Sequence, residues 1–198
     1  MHIIRKYEEK YRQMAQDGDI LLCRNNRWLG RKIQKYDYDD LPYKKRLPAY
    51  YTHSLRIFKK FDRIFIIDAI ENGVHPEFAS IRMKRYTDFC VLRFIKTPEE
   101  INKAMAISAT REEMGIKYDF KQIFKIYLYA EWNINTYKQL ADDTKKDIYS
   151  EDTWYYSNVL GIKCYEKANW KRPFFTPQDF LRLRNQAEVQ VLLNDVIY

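Results

Sequence analysis

Residues 53–70, with the sequence HSLRIFKKFDRIFIIDAI, decide the fold of this chain. The runs His53–Phe58 and Arg63–Ala69 are rich in branched aliphatic and aromatic residues, a composition typical of β-strands. The polar link Lys59–Asp62 between them is short, and short links join neighbouring antiparallel strands. The stretch therefore predicts a β-hairpin within an antiparallel sheet.

Further strands and helices flank this hairpin on both sides. Apolar runs predict strands at residues 20–23 and 90–95, and Asn72-Gly73 is a turn signal. Thr97-Pro98 followed by Glu100 is typical of a helix start, and Gly115 should end that helix. Apolar spacing predicts other helices over residues 2–15, 28–36, 120–128 and 155–170, with one more beginning near Thr176. This order of elements indicates an α+β fold in which an antiparallel sheet is packed with helices.

The composition is that of a globular protein. Of 198 residues, 46% are hydrophobic, 31% are charged, and only 5 are Gly and 6 Pro, which excludes disordered and collagen-like chains. No apolar run approaches the ~20 residues that a membrane-spanning helix needs. We expect one domain with extensions at residues 1–17 and 182–198 and a polar surface excursion at 133–152. The first residues lack the apolar core of a signal peptide, so the expected location is the cytoplasm or a virus particle.

The charge balance favours anionic partners. Lys and Arg number 35 against 27 Asp and Glu, a net charge of +8, and such a surface attracts nucleic acid or another anionic polymer. The chain also contains 17 Tyr, a residue frequent at interfaces.

The cysteines and histidines do not form a metal-binding or disulfide pattern. They are widely spaced and include neither a CxxC nor an HxxxH pair: Cys23, Cys90, Cys164, His2, His53 and His75. We therefore predict no disulfide framework, no metal site and no cofactor.

Six short motifs occur in the order of one known family. They are Gly18–Leu22 (GDILL), Tyr51–Ser54 (YTHS), Ile67–Val74 (IDAIENGV), Gly115–Phe120 (GIKYDF), Trp154–Leu160 (WYYSNVL) and Thr176–Leu181 (TPQDFL). Together they resemble the YiiX/YebB-like branch of the NlpC/P60 superfamily, which has a circularly permuted papain-like fold. The resemblance extends from about Gly18 to Leu181, nearly the whole chain.

The resemblance implies three catalytic positions, one of which is altered. It places the general base at His53, the orienting carboxylate at Asp68 on a neighbouring strand, and the nucleophilic Cys at position 156. Position 156 is Tyr, and the Glu that the family motif carries nearby is Asn158. A phenol with an ordinary pKa near 10 is almost entirely protonated at neutral pH and is larger than a thiol. The resemblance therefore implies a degenerate site at His53, Asp68 and Tyr156.

Other candidate nucleophiles have simpler interpretations. Ser157 should point away from the site because it lies about 100° around the helix from Tyr156. Cys90 and Cys164 are expected in the core. Cys23 is expected to be a buried structural thiol, although its strand could bring it near His53.

Two functional classes follow, with a third less specific one. In the first, the protein is a catalytically degenerate NlpC/P60-like binding or structural module, with a bacteriophage particle as one setting. In the second, it is an active cell-wall amidase, peptidase or acyl hydrolase in which Tyr156 or Cys23 substitutes for the nucleophile. In the third, clusters such as Lys44-Lys45-Arg46 and Lys59-Lys60 bind nucleic acid.

Three segments predict a docking surface for protein partners or for self-assembly. They are the apolar stripe of the N-terminal helix (Ile3, Ile4, Tyr7, Tyr11 and Met14), the excursion at 133–152, and the apolar run Val189–Leu193. Exposed apolar patches of this kind often mark protein interfaces.

Overall fold

A computed structural model gives the architecture of the chain. It describes residues 10–28, 30–31, 51–70, 73–113, 117–118, 146–147, 151–162, 177, 180, 183 and 187–194. The predicted helix at 120–128, most of the excursion at 133–152, the helix start at Thr176 and Cys164 lie outside these residues.

A six-stranded antiparallel sheet forms the centre of the described structure. Its strands are β1 (Ile20–Arg24), β2 (His53–Lys60), β3 (Arg63–Ile70), β4 (Gly73–Phe78), β5 (Asp88–Phe94) and, near the C-terminus, β8 (Val189–Asn194). Their order across the sheet is β4-β3-β2-β1-β5-β8. Two short strands, β6 (Lys117–Tyr118) and β7 (Lys146–Asp147), pair in parallel elsewhere. The expected α+β class with an antiparallel sheet is confirmed.

Three helices are described beside the sheet. Helix α1 (Ala79–Arg82) continues into a 3₁₀ turn at Met83–Arg85, α2 spans Pro98–Glu113, and α3 spans Glu151–Val159. The start of α2 is the predicted capping box, because the Thr97 hydroxyl accepts from the Glu100 amide at 3.2 Å and the Thr97 amide donates to the Glu100 carboxylate at 2.8 Å. No helix among the described residues is long and apolar enough to cross a bilayer.

Strand alternation gives the sheet two buried faces. The helix-covered face carries Ile20, Leu22, Cys90 and Leu92, and it packs against α2 and α3. The opposite face carries Leu21, Cys23, Leu55 and Phe89, and it packs against Tyr11, Ala15 and the segment from α1 through the 3₁₀ turn. We call this second face the carboxylate face, because Asp19 and Asp68 lie on it.

Helix α3 differs from its predicted position. It was expected from Tyr155 to Trp170, but it begins at Glu151 and ends at Val159. Gly161 has a φ of 72°, and the Ile162 amide donates to the Ser157 carbonyl at 2.9 Å. This left-handed helix end, stabilised by a six-to-one hydrogen bond, terminates the helix.

Parts of two segments of the expected docking surface pack on the chain's own core. Val189–Leu193 was expected to be an exposed extension, but it belongs to β8, which pairs with β5, and Val189 is buried. Tyr11 is fully buried, whereas Met14 remains 42% exposed. Tyr11 and Val189 therefore offer no side chain for docking, because both are buried intramolecularly, and docking through the other residues stays a prediction. Ile3, Ile4 and Tyr7 lie outside the described residues.

Candidate functional site

His53 and Asp68 contact each other on the carboxylate face. His53 begins β2 and Asp68 lies on the adjacent strand β3, and the two strands pair antiparallel. His53 Nε2 lies 2.5 Å from Asp68 Oδ1. The His53 side chain is 14% exposed and that of Asp68 only 2%. The structure thus brings together two of the three residues that the sequence singled out, with the histidine at the edge of solvent.

The second oxygen of Asp68 is held by two further residues. The Arg82 guanidinium forms an ion pair with Asp68 Oδ2, and the Tyr86 hydroxyl donates to the same oxygen at 3.4 Å. The Tyr86 ring also stacks on the His53 ring, with centroids 5.7 Å apart. We call these four residues the Asp68 cluster. Sequence reasoning missed Arg82 and Tyr86, because no strand or helix pattern directed them towards Asp68.

Electrostatics within the Asp68 cluster favour the ion pair. Burial acts to lower the pKa of Arg82, but Asp68, Tyr86 and Glu77 together outweigh it and the pKa is raised. Burial, and then the Asp68 charge, raise the pKa of Tyr86 well above its ordinary value. Arg82 is therefore charged and Tyr86 neutral at physiological pH, and both hold the carboxylate rather than leaving it open.

Cys23 lies directly across from His53 in the sheet. The two residues are paired in the register of β1 and β2, on the carboxylate face. Cys23 is fully buried. Burial, and then the nearby Asp68 charge, raise the pKa of its thiol well above the ordinary value. Because the thiolate is the nucleophilic form, this environment is the opposite of the one that activates a cysteine.

Tyr156 lies on the other side of the sheet, which corrects the expected geometry. It is the sixth residue of α3, not the first, and it packs within the core of the helix-covered face. The Arg56 guanidinium lies 5.0 Å from its ring centroid, and Arg56 alternates with His53 along β2, so the two point to opposite faces. The expectation that Tyr156 sits at a helix start facing His53 is therefore wrong.

The Tyr156 hydroxyl is buried against the main chain at Gly18. A Cβ atom placed on Gly18 would come within 2.0 Å of this hydroxyl, and Gly18 has a φ of 80°. Among the described residues the hydroxyl has no hydrogen-bond partner, and burial raises its pKa. The phenol is therefore neutral and enclosed, as a core residue is. Ser157 is buried too, and its hydroxyl donates to the Thr153 carbonyl at 2.8 Å.

A second buried carboxylate, Asp19, lies at the opposite end of the carboxylate face. It accepts from the Tyr11 hydroxyl at 2.7 Å, the Gln16 amide at 2.9 Å, and Arg93 Nε and Nη2 at 2.7 and 2.8 Å. We call these residues the Asp19 cluster. Arg93 interrupts the apolar run of β5, and a lone arginine in such a run is a sequence signal of a buried acidic partner.

A cavity of about 390 Å³ opens beside the Asp19 cluster. Its polar lining includes Gln16, Asp17, Lys59, Lys96 and Asn102, and it includes no member of the Asp68 cluster. Four of its charged groups already have partners, because Asp19 pairs with Arg93, Asp17 accepts from the Lys59 amide and Lys96 pairs with Glu188. The cavity is therefore separate from His53.

No group of three or more metal-ligating side chains occurs in the described ranges. Within the Asp68 cluster, His53 and Arg82 occupy both oxygens of Asp68, and the Arg82 cation would repel a metal ion there. The residues of this cluster do not fit a metal site.

Comparisons with known proteins support a relationship of fold. No protein-family model matches the chain, and no curated protein sequence matches it. Among solved structures it is similar to that of the metalloprotein yiiX from Escherichia coli O157:H7, of the family DUF1105. The two share 18% sequence identity with a TM-score of 0.55 over 91% of this chain and 89% of the other. The YiiX-like resemblance expected from the sequence is thus supported for the fold.

Proposed function

We propose that this protein is a catalytically degenerate NlpC/P60-like module that works by binding or by structural assembly. One observation carries the proposal: Tyr156 and His53 lie on opposite faces of the sheet. A base and its nucleophile must come within hydrogen-bond reach of each other, and a sheet between them prevents that.

The state of the Asp68 cluster supports the same proposal. In a working Cys–His pair the carboxylate orients the histidine and an imidazolium stabilises a thiolate. Here Arg82 neutralises Asp68, and the thiol across from His53 is fully buried with a raised pKa. The arrangement suits a structural connection between β2, β3 and the α1 segment.

The proposed binding partner is a protein, either a different protein or further copies of this chain. A scaffold without a nucleophile can contribute only its surfaces, and a virus particle is the assembly in which we propose it does so. Sedimentation velocity tests self-assembly, with an expected distribution that includes species larger than the monomer. A single monomeric species that also captures no protein partner would contradict the assembly role.

An active hydrolase is the second candidate, favoured by the register that places Cys23 across from His53. Cysteine-resolved labelling separates the two candidates. The folded protein is treated with iodoacetamide over a range of pH, and each cysteine peptide is quantified by mass spectrometry. We expect Cys23 to label only as fast as the protein unfolds.

The buried Cys90 is the matched internal control, because it is equally enclosed but lies on the other face of the sheet. Cys23 and Cys90 should be protected to a similar extent. The hydrolase candidate would be established, and the degenerate site rejected, if Cys23 alone labelled rapidly. The pH dependence of that labelling should then show a thiol pKa below the ordinary value, and the labelling should be lost in His53→Gln.

A further inference from the structure

The tip of the β2–β3 hairpin exposes an aromatic ring that the fold does not need. Phe61 is 85% exposed, and its ring contacts Lys60, whose Nζ lies 5.4 Å from the ring centroid. Lys60 and Arg63 close the turn as paired residues, so Phe61 and Asp62 alone form the loop.

The backbone at this turn is strained. Phe61 and Asp62 have φ values of 51° and 57°, the left-handed conformation that a type I′ hairpin turn requires at both central residues. Asn-Gly is the preferred pair for such turns, and a Phe in this conformation is unfavourable. Stability alone would therefore select against Phe61, and a strained, exposed position of this kind points to a function in contact.

Basic residues flank Phe61 in the hairpin. Lys59, Lys60 and Arg63 are exposed together with Phe61, and Asp62 is the acidic residue among them, so these five residues carry a net charge of +2. Behind the tip, three partly exposed phenylalanines form a ladder across neighbouring strands: Phe58, Phe65 and Phe78. The hairpin thus presents an apolar tip, a row of cations and an apolar base.

We propose that this hairpin tip binds an anionic membrane surface, with Phe61 inserted among the lipid headgroups. Cations beside an inserted aromatic residue suit anionic lipid, because each Lys or Arg near such a surface strengthens binding about fivefold. The inference is independent of whether the Asp68 cluster catalyses a reaction.

The geometry favours a membrane over single-stranded nucleic acid. Single-stranded nucleic acid stacks successive bases on several free ring faces, and at this tip Phe61 alone offers one. In the ladder, the rings stack on one another at 4.9 and 4.8 Å, and Arg63 lies 5.5 Å from the Phe78 centroid. Insertion requires only exposed apolar area at a protruding point, which Phe61 supplies.

The test is sedimentation of the full chain with vesicles. The probes are vesicles of phosphatidylcholine mixed with phosphatidylserine, vesicles of phosphatidylcholine alone, and a single-stranded oligothymidylate. The double variant Phe61→Asn with Asp62→Gly removes the ring and installs the preferred turn pair. It should therefore fold at least as stably as the parent protein, which a melting curve checks.

We expect the parent protein to bind the mixed vesicles, and the double variant to bind them about tenfold more weakly because it loses the apolar contact. Loss of Asp62 would by itself strengthen binding to an anionic surface, so the weakening cannot come from charge. Ile95→Asn, at another exposed apolar residue, should bind as the parent does.

Lys60→Gln with Arg63→Gln should weaken binding, while Lys103→Gln, an exposed cation on α2, should have little effect. No binding to the mixed vesicles, or equal binding by the parent and the double variant, would overturn the proposal. Binding of the oligothymidylate in a Phe61-dependent way would assign the tip to nucleic acid instead.

Discussion

The Asp19 and Asp68 clusters place the same ion pair, a buried aspartate with an arginine, at opposite ends of one sheet face. Asp19 accepts from two side chains and one backbone amide and ties the N-terminal segment to β5. Asp68 shares its oxygens between Arg82 and a histidine at the edge of solvent. The difference teaches that burial of a carboxylate does not by itself identify a functional site. A buried carboxylate becomes a candidate when its partner is a titratable, partly exposed side chain.

The largest expected effect distinguishes the two carboxylates directly. Asp19→Asn should reduce the free energy of unfolding by about 3–5 kcal/mol, because the fully buried carboxylate is lost and the Arg93 guanidinium, 19% exposed, is left without its counter-ion. Urea denaturation measures the loss. A reduction below about 1 kcal/mol would mean that the Asp19 cluster is a surface-type ion pair.

Gly18→Ala should cost about 2–4 kcal/mol at the Asp19 end. The added Cβ would overlap the Tyr156 hydroxyl, and the φ of 80° is unfavourable for alanine. Tyr156→Phe should recover about 1 kcal/mol or more of this loss in the double variant, because it removes the overlapping oxygen.

Tyr156→Phe alone is the control for that cycle. It should leave stability nearly unchanged or slightly raised, since the hydroxyl is buried without a partner among the described residues. A large loss from this substitution alone would show that the hydroxyl has a structural role.

At the other end, Asp68→Asn should cost less than Asp19→Asn, about 2 kcal/mol, because Arg82 keeps a contact with Glu77 at 3.5 Å. His53→Gln should cost under about 1 kcal/mol, since its side chain is partly exposed. Thermal melting of the three variants side by side gives this order. Equal losses for the two aspartates would remove the distinction drawn between the clusters.

Stability should also depend on alkaline pH. The pKa of Cys23 is raised in the folded state, so its contribution is complete below the ordinary thiol pKa of ~8.5 and is lost as pH rises towards the folded value. Between about pH 8.5 and 10, stability should fall by up to ~1.4 kcal/mol per pH unit through this group.

Cys23→Ala should flatten that decline, as measured by urea denaturation at several pH values. Tyr156→Phe serves as the comparison at the Asp19 end, because the pKa of Tyr156 is also raised and its effect should begin only above about pH 10. An unchanged slope in Cys23→Ala would mean that Cys23 ionises as readily in the folded as in the unfolded chain.

Local sequence patterns predicted most of the elements around the candidate site. The hairpin of β2 and β3 followed from its two apolar runs, and the start of α2 followed from Thr97-Pro98 and Glu100. The pairing of His53 with Asp68 was expected from the resemblance, and the two side chains do meet. The remaining members of the Asp68 cluster, Arg82 and Tyr86, were missed. They lie in the segment that follows β4, and no periodic pattern in the sequence directs them towards Asp68.

The sequence by itself determined strands β1, β2, β3 and β5, the hairpin and the cap of α2, because strand composition and capping depend on near neighbours in the chain. Strands β4 and β8 were not predicted. Only the tertiary structure decided which buried face each polar side chain entered. Alternation separates His53 from Arg56, but it does not say which face α3 will cover. That choice depends on long-range packing of α2 and α3 against one side of the sheet, and it placed Tyr156 across the sheet from His53.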